Sequence, residues 1–351
     1  MIENCIGVDF FCGCGGMTAG LKRAGVDVRL GIDNNPKCRK TYEENNNVPF
    51  EHGDIRSITR YKISKMIDKR GRRPLIFAGC APCQPFSKVR KSGIKDHPDS
   101  DLLKYFFRFV LYFKPKFVLC ENVPQLLKSQ EGYQMVRGFL NDLRKNGYAT
   151  DMAVVNTADF NVPQNRWRLI ILASKTNGKV KVPDGPTRLM RPTVRQAIKS
   201  LPSIKAGERS SDIPNHWASA LSPINLKRIR ATPKNGGDLR SLPKKLRPPS
   251  RKNLHKYGKG GFFDVYGRMH WDKPSPTLTT RCNSFSNGRY GHPKQNRAIS
   301  LREAARLQSF RDSYIFYIDS IAEGAKMIGN AVPVNMVYHL TRALLENHSS
   351  P

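Results

Sequence analysis

The chain has 351 residues, of which 39% are hydrophobic, and this is enough for one large domain and a smaller one. It carries 60 lysines and arginines against 28 aspartates and glutamates, and a net charge of +32 favours a polyanionic partner. The sequence contains no run of about 18 apolar residues and no basic N-terminal stretch followed by an apolar one, which argues against a membrane span and a signal peptide.

Strand-like and helix-like segments alternate through the first 175 residues. The predicted strands are IGVDFF, VDVRLGID, PLIFAG, KFVLCENV and RWRLIILAS, and the predicted helices are MTAGLKRAG, DLLKYFFRFVLYF and YQMVRGFLNDLRKNGY. This alternation predicts an α/β fold with a mostly parallel sheet covered on both faces. Helical pattern returns late in the chain with SLREAARLQSF and, after a turn at GNAVP, with the amphipathic helix that ends the sequence.

The intervening segment is basic and rich in proline and glycine. Residues 176–300 hold 26 lysines and arginines against six aspartates and glutamates. Because the surplus is both large and concentrated, we interpret it as a surface for nucleic acid, with a merely solubilising surface as the alternative.

A glycine-rich stretch, VDFFCGCGGMTAG, places Gly13, Gly15 and Gly16 between the first predicted strand and the first helix. Glycines there let the backbone approach a ligand, and the helix N-terminus offers free N–H groups. Asp33 ends the next strand, where a carboxylate can hold ribose hydroxyls, and Asp54 follows a possible third strand. The pattern fits a dinucleotide or the adenosine of S-adenosylmethionine, and a tight turn without a ligand is the alternative.

The stretch AGCAPCQPFS holds Cys80 and Cys83 in a C-x-x-C spacing, which a redox pair or half of a zinc site could share. A zinc site needs a second pair of cysteines or histidines at a suitable spacing, and a redox pair usually opens a helix directly. We therefore interpret Cys83 as a single nucleophile at the carboxyl end of a strand, where open α/β folds bind ligands.

Two other strand ends offer partners for this thiol. Glu121 ends KFVLCE, and Arg166 and Arg168 flank Trp167 at the start of RLIIL, so that both guanidinium groups are expected on one face. Each alone could be a solvated surface group. The thiol, the acid and the paired arginines at the ends of strands in one sheet indicate a site.

These motifs, PCQPFS, ENV, QNRWR, the glycine loop and GNAVP, resemble the ordered motifs of DNA (cytosine-5) methyltransferases over nearly the whole chain. SPTLTTR followed by REAARLQSF is similar to the segment that closes the family's variable target-recognition region. The resemblance implies a Rossmann-like catalytic domain over residues 1–176 and 291–351 with the C-terminal helix folded back. It also implies a smaller, loop-rich target-recognition domain over residues 177–290.

The sequence departs from the family pattern at a few positions. Ala81 stands where proline is more usual, Cys80 where glycine is common, and Asp33 where glutamate is frequent; Pro124 and Gln125 replace Lys-Gly after ENV. None of these changes removes a catalytic group.

By resemblance, Cys83 would add to carbon 6 of a cytosine flipped out of the duplex, so that carbon 5 can accept a methyl group. Glu121 would bind nitrogen 3 and the exocyclic amine, Arg168 would hold the carbonyl oxygen, and Arg166 would lie against the ring or a phosphate. The donor would be S-adenosylmethionine, leaving S-adenosylhomocysteine, with no metal. The expected cofactor site comprises Phe11, Gly13, Gly15, Gly16, Asp33, Asp54, Ile55, Leu102, Asn330 and Val332, and the expected DNA contacts are Ser87, Thr277 and Arg281.

The expected partner is double-stranded DNA, bound by a monomer in the cytoplasm at the nucleoid. Because the first motif lies close to the start of the chain, a stand-alone prokaryotic or phage enzyme is expected, with a cognate restriction endonuclease as a possible counterpart. Three alternatives remain open: a tRNA cytosine-5 methyltransferase, a catalytically silent DNA-binding protein, and, on the glycine loop alone, an NAD-dependent oxidoreductase.

Overall fold

A computed structural model describes residues 5–67, 73–82, 101–175, 178–249 and 263–346. Cys83 and Ser87 lie outside these ranges. The chain divides into two compact units. Unit 1 comprises Met1–Phe160, Trp167–Arg188 and Ala331–Pro351, and unit 2 comprises Asn161–Arg166 and Leu189–Asn330.

Unit 1 contains a mixed seven-stranded sheet in the order β3-β2-β1-β4-β5-β7-β6. Its strands are β1 (Ile6–Phe10), β2 (Asp27–Asp33), β3 (Phe50–His52), β4 (Leu75–Gly79), β5 (Phe117–Asn122), β6 (Ala149–Asn156) and β7 (Trp167–Ser174). Strands β1 to β5 are parallel to one another, and β7 runs antiparallel to both β5 and β6. The predicted α/β class and the five predicted strands are confirmed, and β3 and β6 complete the sheet.

The described helices of unit 1 are α1 (Gly16–Arg23), α2 (Arg39–Asn46), α3 (Arg60–Met66), α4 (Leu102–Phe113), α5 (Gln130–Lys145) and α10 (Val334–Glu346). Gly25 has a φ of 95°, the left-handed conformation that glycine adopts readily after a helix, which accounts for the predicted end of α1. Asp101 and Ser129 precede α4 and α5, and the Ser129 hydroxyl accepts a hydrogen bond from the Gly132 N–H.

Aromatic rings fill the space between the central strands and α4. The Phe10 ring centroid lies 5.2 Å from that of Phe77 and 5.3 Å from that of Phe106. Gly79, the last residue of β4, lies so close to α4 that an added Cβ would be 3.0 Å from the Phe106 ring. This tight packing fixes the position of the C-terminal end of β4 relative to α4.

The C-terminal helix α10 packs directly on α1. At Gly20 an added Cβ would come within 2.5 Å of the Val337 Cβ, so only glycine allows this approach. Beside this contact Arg23 donates from Nη1 to Oδ1 of Asn335 at 2.6 Å and lies over the Tyr338 ring. Residues more than 300 positions apart in sequence therefore form one helix pair of unit 1.

The described helices of unit 2 are α6 (Val194–Ile198), α7 (Pro223–Ala231), α8 (Leu301–Leu307) and α9 (Ile321–Asn330). The helix predicted around REAARL is confirmed as α8, which begins with a capping box between Ser300 and Glu303. Between the helices, buried arginine side chains join loops by donating to main-chain carbonyls. Arg302, for example, donates to the carbonyl oxygens of Pro214, Arg311 and Tyr314.

No helix within the described ranges is long and apolar enough to cross a membrane.

Candidate active site

Two parallel strands bring Cys80 beside Glu121. Gly79 of β4 pairs with Cys120 of β5, so the next residue of each strand lies at the same level. Cys80 donates through Sγ to Oε2 of Glu121, with the two atoms 2.6 Å apart. Glu121 is buried, at 2% exposure, although it lies at the carboxyl end of its strand.

Arg168 reaches the same carboxylate from the antiparallel strand β7. Glu121 pairs with Ile170, and Arg168, two residues along β7, points to the same face of the sheet. Its Nε lies 2.7 Å from Oε1 of Glu121, and its Nη1 donates to the carbonyl oxygen of Trp167 at 2.7 Å. The carboxylate is thus held by one donor on each oxygen, which fixes its plane.

The glycine loop between β1 and α1 runs through left-handed backbone conformations. Phe11, Gly13 and Gly15 have φ values of 60°, 51° and 92°, and such a value is uncommon for a phenylalanine. The Gly13 N–H donates to Oδ2 of Asp33 at 2.8 Å, which joins the loop to the end of β2. An added Cβ at Gly13 would meet nothing within 4 Å, so the structure leaves open space directly over this backbone.

Two acids predicted for cofactor binding are held by local contacts. Asp33 accepts from the Asn35 N–H through Oδ1, and burial raises its pKa above the ordinary aspartate value although these backbone N–H groups act against the shift. Asp54 accepts from the Arg56 N–H and from Arg56 Nη1, each at 2.8 Å. Arg56 also donates through Nη2 to Oδ1 of Asp101 at 2.5 Å, so one guanidinium joins the turn after β3 to the start of α4.

Asp9 is a buried carboxyl group beneath this loop that the sequence motifs did not single out. The Thr18 hydroxyl donates to its Oδ2 at 2.6 Å, and Tyr42 shares the same hydroxyl at 2.9 Å. Oδ1 has no hydrogen-bond partner among the described residues, and burial raises the pKa of Asp9 to about 7. An acid inside an otherwise apolar strand was the signal that could have identified it.

Arg166 and Gln164 of the QNR motif contact Leu278 of the Thr-Leu segment, Thr277 and Leu278, within unit 2. Arg166, 5% exposed, donates from Nη1 to the carbonyl oxygen of Leu278 at 2.8 Å and from Nη2 to that of Gly329 at 3.0 Å. Gln164 accepts from the Leu278 N–H, and Thr277 donates through its hydroxyl to the Asn165 carbonyl oxygen. The contact of Arg166 with a base or phosphate stays a prediction.

The structure brings part of the predicted site together. Glu121 with Arg168, and Gly13 with Asp33, are in direct contact within unit 1. Thr277 and Arg281 are exposed on unit 2, Asn330 is the exposed last residue of α9, and Ile55, Leu102 and Val332 are mostly buried. Cys83 and Ser87 lie outside the described residues, and the functional roles of all these residues stay predictions.

The sequence matches the profile of the C-5 cytosine-specific DNA methylases over residues 6–346. The chain belongs to this family. Family members methylate with S-adenosylmethionine. Of the two ligands that the glycine loop indicates, a dinucleotide and S-adenosylmethionine, the family agrees with S-adenosylmethionine. The predicted family and enzyme class are confirmed, and the oxidoreductase alternative is wrong.

The curated proteins that the chain resembles include type II methylases. It is 38% identical to the type II methylase M.HgiDII of Herpetosiphon aurantiacus, with 93% of this chain and 91% of the relative covered. It is 33% identical to the type II methyltransferase M1.HphI of Haemophilus parahaemolyticus, with coverage of 98% and 87%.

Solved structures agree on the fold. A prophage-encoded DNA modification methyltransferase from E. coli superposes with a TM-score of 0.72 at 20% identity, covering 98% of this chain and all of the other. The Dnmt2 methyltransferase of S. pombe superposes with a TM-score of 0.63 at 19% identity, covering 98% and 99%. At these sequence identities, the two structural similarities support the fold and nothing further.

Proposed function

We propose that this methyltransferase acts on one cytosine within a specific duplex DNA sequence, which it flips out of the helix and attacks through Cys83. The observation that carries the proposal is the buried Glu121 carboxylate, held by Arg168 at the end of β5 beside the end of β4. From Gly79 the chain continues through Pro82 directly to Cys83. A nucleophile and an acid that follow adjacent parallel strands suit a reaction on one small planar ring.

The chain's own residues would supply three actions on the base. The Cys83 thiolate adds to carbon 6, which turns carbon 5 into a nucleophile. Glu121 binds nitrogen 3 and the exocyclic amine, which stabilises the adduct, and Arg168 keeps the carboxylate in plane while facing the base's carbonyl oxygen. After transfer, carbon 5 loses its proton and the Cys83 sulfur leaves as thiolate, which restores the aromatic ring.

The glycine loop and its acids fit S-adenosylmethionine, which when bound supplies an electrophilic methyl group. The open space over Gly13 admits a ligand against the backbone, and Asp33 beside it is an acceptor for ribose hydroxyls. We assign Asp54 to the adenine amine. The remaining predicted contacts are Phe11, Gly15, Gly16, Ile55, Leu102, Asn330 and Val332, and the proposed chemistry uses no metal.

The basic segment 177–290, which belongs to unit 2 from Leu189 onward, is proposed to read the DNA. Exposed lysines and arginines such as Lys227, Arg230 and Arg281 can neutralise phosphates, and loop side chains can reach base edges. Flipping the base costs a few kcal/mol of unstacking, which these contacts would offset. Ser87 and Thr277 are proposed to contact the DNA near the flipped nucleotide.

The type II relatives support a role in restriction–modification. We further propose that the protein acts as a monomer on chromosomal DNA in the cytoplasm, at the nucleoid. In this role the enzyme would protect sites that a cognate endonuclease cuts. The similarity to these relatives, at 38% and 33% identity over most of the chain, is the support for this assignment.

The test is methyl transfer from tritiated S-adenosylmethionine to unmethylated duplex DNA by wild type and Cys83→Ser, with bisulfite sequencing of the product. We expect label at one cytosine of a short sequence and none with the variant. Label on tRNA but not on DNA would show that the substrate is tRNA and refute the assignment of duplex DNA. DNA binding without transfer by the wild type would contradict catalysis and leave a binding protein.

A further inference from the structure

The buried carboxylate of Glu121 meets a thiol on one oxygen and a guanidinium on the other. Cys80 donates to Oε2 at 2.6 Å and Arg168 Nε lies 2.7 Å from Oε1. The two donors come from different strand ends, so both oxygens are engaged before any base arrives. The sequence motifs gave Arg168 a role, whereas Cys80 entered them only as a departure from the family pattern.

The position of Cys80 follows from strand pairing. Because Gly79 pairs with Cys120, any side chain at position 80 is placed next to Glu121. A glycine there, as is common in the family, would leave Oε2 without this donor. The contact is therefore a property of the cysteine that this chain carries.

The Cys80 thiol is suited to a hydrogen bond with Glu121 that the substrate later replaces. A buried carboxylate oxygen without a donor is unfavourable, and a hydroxyl or ammonium group would compete strongly with an incoming ligand. An S–H group is a weak donor that satisfies the oxygen and can be displaced. The exocyclic amine of cytosine is a stronger donor, so the exchange on Oε2 favours the base.

We propose that Cys80 is a positioning residue for the methylation reaction. It holds the Glu121 carboxylate in the orientation that the flipped cytosine needs, and it yields Oε2 to the base on binding. This inference rests on the role proposed above for Glu121.

The test uses Cys80→Ala and Cys80→Ser in the full-length protein, with Cys5→Ala as the matched control. Cys5 is a fully buried thiol that precedes β1, at the opposite end of the strands from Glu121. The readouts are the rate of covalent adduct formation with duplex DNA containing 5-fluorocytosine, kcat, and the KM for S-adenosylmethionine. Thermal unfolding of each variant reports on the fold.

We expect Cys80→Ala to slow adduct formation and kcat by about three- to tenfold, because the Glu121 carboxylate is no longer held in the orientation that the base needs, without changing the KM for S-adenosylmethionine. Cys80→Ser restores a donor to Oε2, but because a hydroxyl competes with the base for this oxygen it should recover only part of the loss. Cys5→Ala should behave as wild type. Equal adduct rates for Cys80→Ala and Cys5→Ala at equal thermal stability would overturn the proposal.

A double-mutant cycle with Glu121→Gln separates this inference from the proposed function. If Cys80 acts through Glu121, adding Cys80→Ala to Glu121→Gln should not slow the residual adduct formation further. Additive losses would show that Cys80 acts elsewhere and overturn its positioning role. An undiminished rate for Glu121→Gln alone would instead refute the role of Glu121, on which the inference depends.

Discussion

Arg297 and Glu303 form a bidentate ion pair inside unit 2, with Nη1 2.7 Å from Oε2 and Nη2 2.7 Å from Oε1. Arg297 is fully buried and Glu303 is 1% exposed. The same carboxylate accepts from the Ser300 N–H in the capping box that begins α8. Glu303 therefore caps the N-terminus of α8 and holds the loop that precedes the helix. The charge of Arg297 offsets the free-energy cost of burying the Glu303 carboxylate.

His292 faces this ion pair as a neutral imidazole. Its Nδ1 accepts from the N–H groups of Lys294 and Gln295, which leaves the proton on Nε2, 3.5 Å from Oε1 of Glu303. Burial lowers the pKa of His292 to about 4 from its ordinary 6.5. A second proton would have to occupy Nδ1, where two N–H donors already point.

Acidification should therefore remove the stabilising contribution of the neutral His292 in a defined window. Between pH 6.5 and 4 the unfolded chain binds a proton at His292 that the folded chain does not, so the contribution of His292 to the free energy of unfolding should fall by about 3 kcal/mol as pH falls, against an opposing contribution from Asp9. Glu303, whose pKa is lowered to about 2, adds a further loss below pH 4.5. Denaturant titrations at pH 7, 5.5 and 4 measure the slope.

His292→Asn is the matched variant for this measurement, because the asparagine carbonyl can accept the same two N–H groups and does not titrate. We expect the free energy of unfolding of the variant, relative to wild type at the same pH, to rise by about 3 kcal/mol as pH falls from 6.5 to 4, because only wild type loses the His292 contribution. Equal slopes for both proteins would refute the assignment to His292.

Arg268 is a buried cation whose five acceptors are all neutral oxygens. Its guanidinium donates to the carbonyl oxygens of Thr232, Ile229, His292 and Gln295 and to Oδ1 of Asn296. Burial lowers its pKa to about 10, so it is charged at neutral pH. The planar fork matches acceptors on several loops, which a lysine ammonium cannot do.

Arg268→Lys should lower the free energy of unfolding by at least about 3 kcal/mol, because two or more hydrogen bonds to a charged group are lost. Thermal or denaturant unfolding measures the loss. Arg230→Lys, on the exposed face of α7, is the control and should stay within about 0.5 kcal/mol of wild type. Similar losses for both variants would contradict the structural role of Arg268.

The same arginine shows what composition could not reveal. The basic surplus of residues 176–300 predicted a surface for nucleic acid, but Arg268 and Arg297 point inward and bind carbonyl oxygens and Glu303. Counting charges does not tell which side chains are buried, because that depends on loops that meet only after folding.

Elements with strong periodicity were predicted and others were missed. The apolar strands and α4 follow from local pattern, whereas β6 has half-exposed residues along most of its length and gave no clear alternation. GNAVP was predicted as a turn, yet α9 continues to Asn330 before the turn begins. Glu121 and Arg168 were predicted because each marks a strand end, but the contact of Cys80 with Glu121 required the register of β4 on β5.

Asp9 should make the fold less stable as pH rises. Burial raises its pKa to about 7, so the folded chain holds a proton between pH 3.8 and 7 that the unfolded chain has lost. The contribution of Asp9 to the free energy of unfolding therefore falls as pH rises through this window, opposite in sign to that of His292. Asp9→Asn keeps an acceptor for the Thr18 hydroxyl without the charge, and it should raise the unfolding temperature at pH 8.5 and leave it unchanged at pH 4. A destabilised variant at pH 8.5 would contradict this account.

Arg56 should support cofactor binding through Asp54. Its backbone N–H and Nη1 hold both oxygens of the Asp54 carboxylate, and Nη2 binds Asp101. Arg56→Met removes the side-chain contacts, and we expect the Kd for S-adenosylmethionine, measured by calorimetry, to rise about three- to tenfold. Arg39→Met, on the exposed start of α2, is the control; an unchanged Kd for Arg56→Met would contradict the role.

DNA affinity should fall steeply with salt, and Arg281 should contribute to the slope. Each phosphate neutralised by a cation adds about 0.9 to the slope of log K against log salt for duplex DNA. Arg281→Ala removes one exposed cation beside the Thr-Leu segment and should reduce the slope by about that amount. Lys145→Ala, at the end of α5 in unit 1, removes the same charge and should leave the slope unchanged. Equal slopes for all three proteins would place Arg281 away from the phosphates, and a flat wild-type plot would contradict electrostatic binding by unit 2.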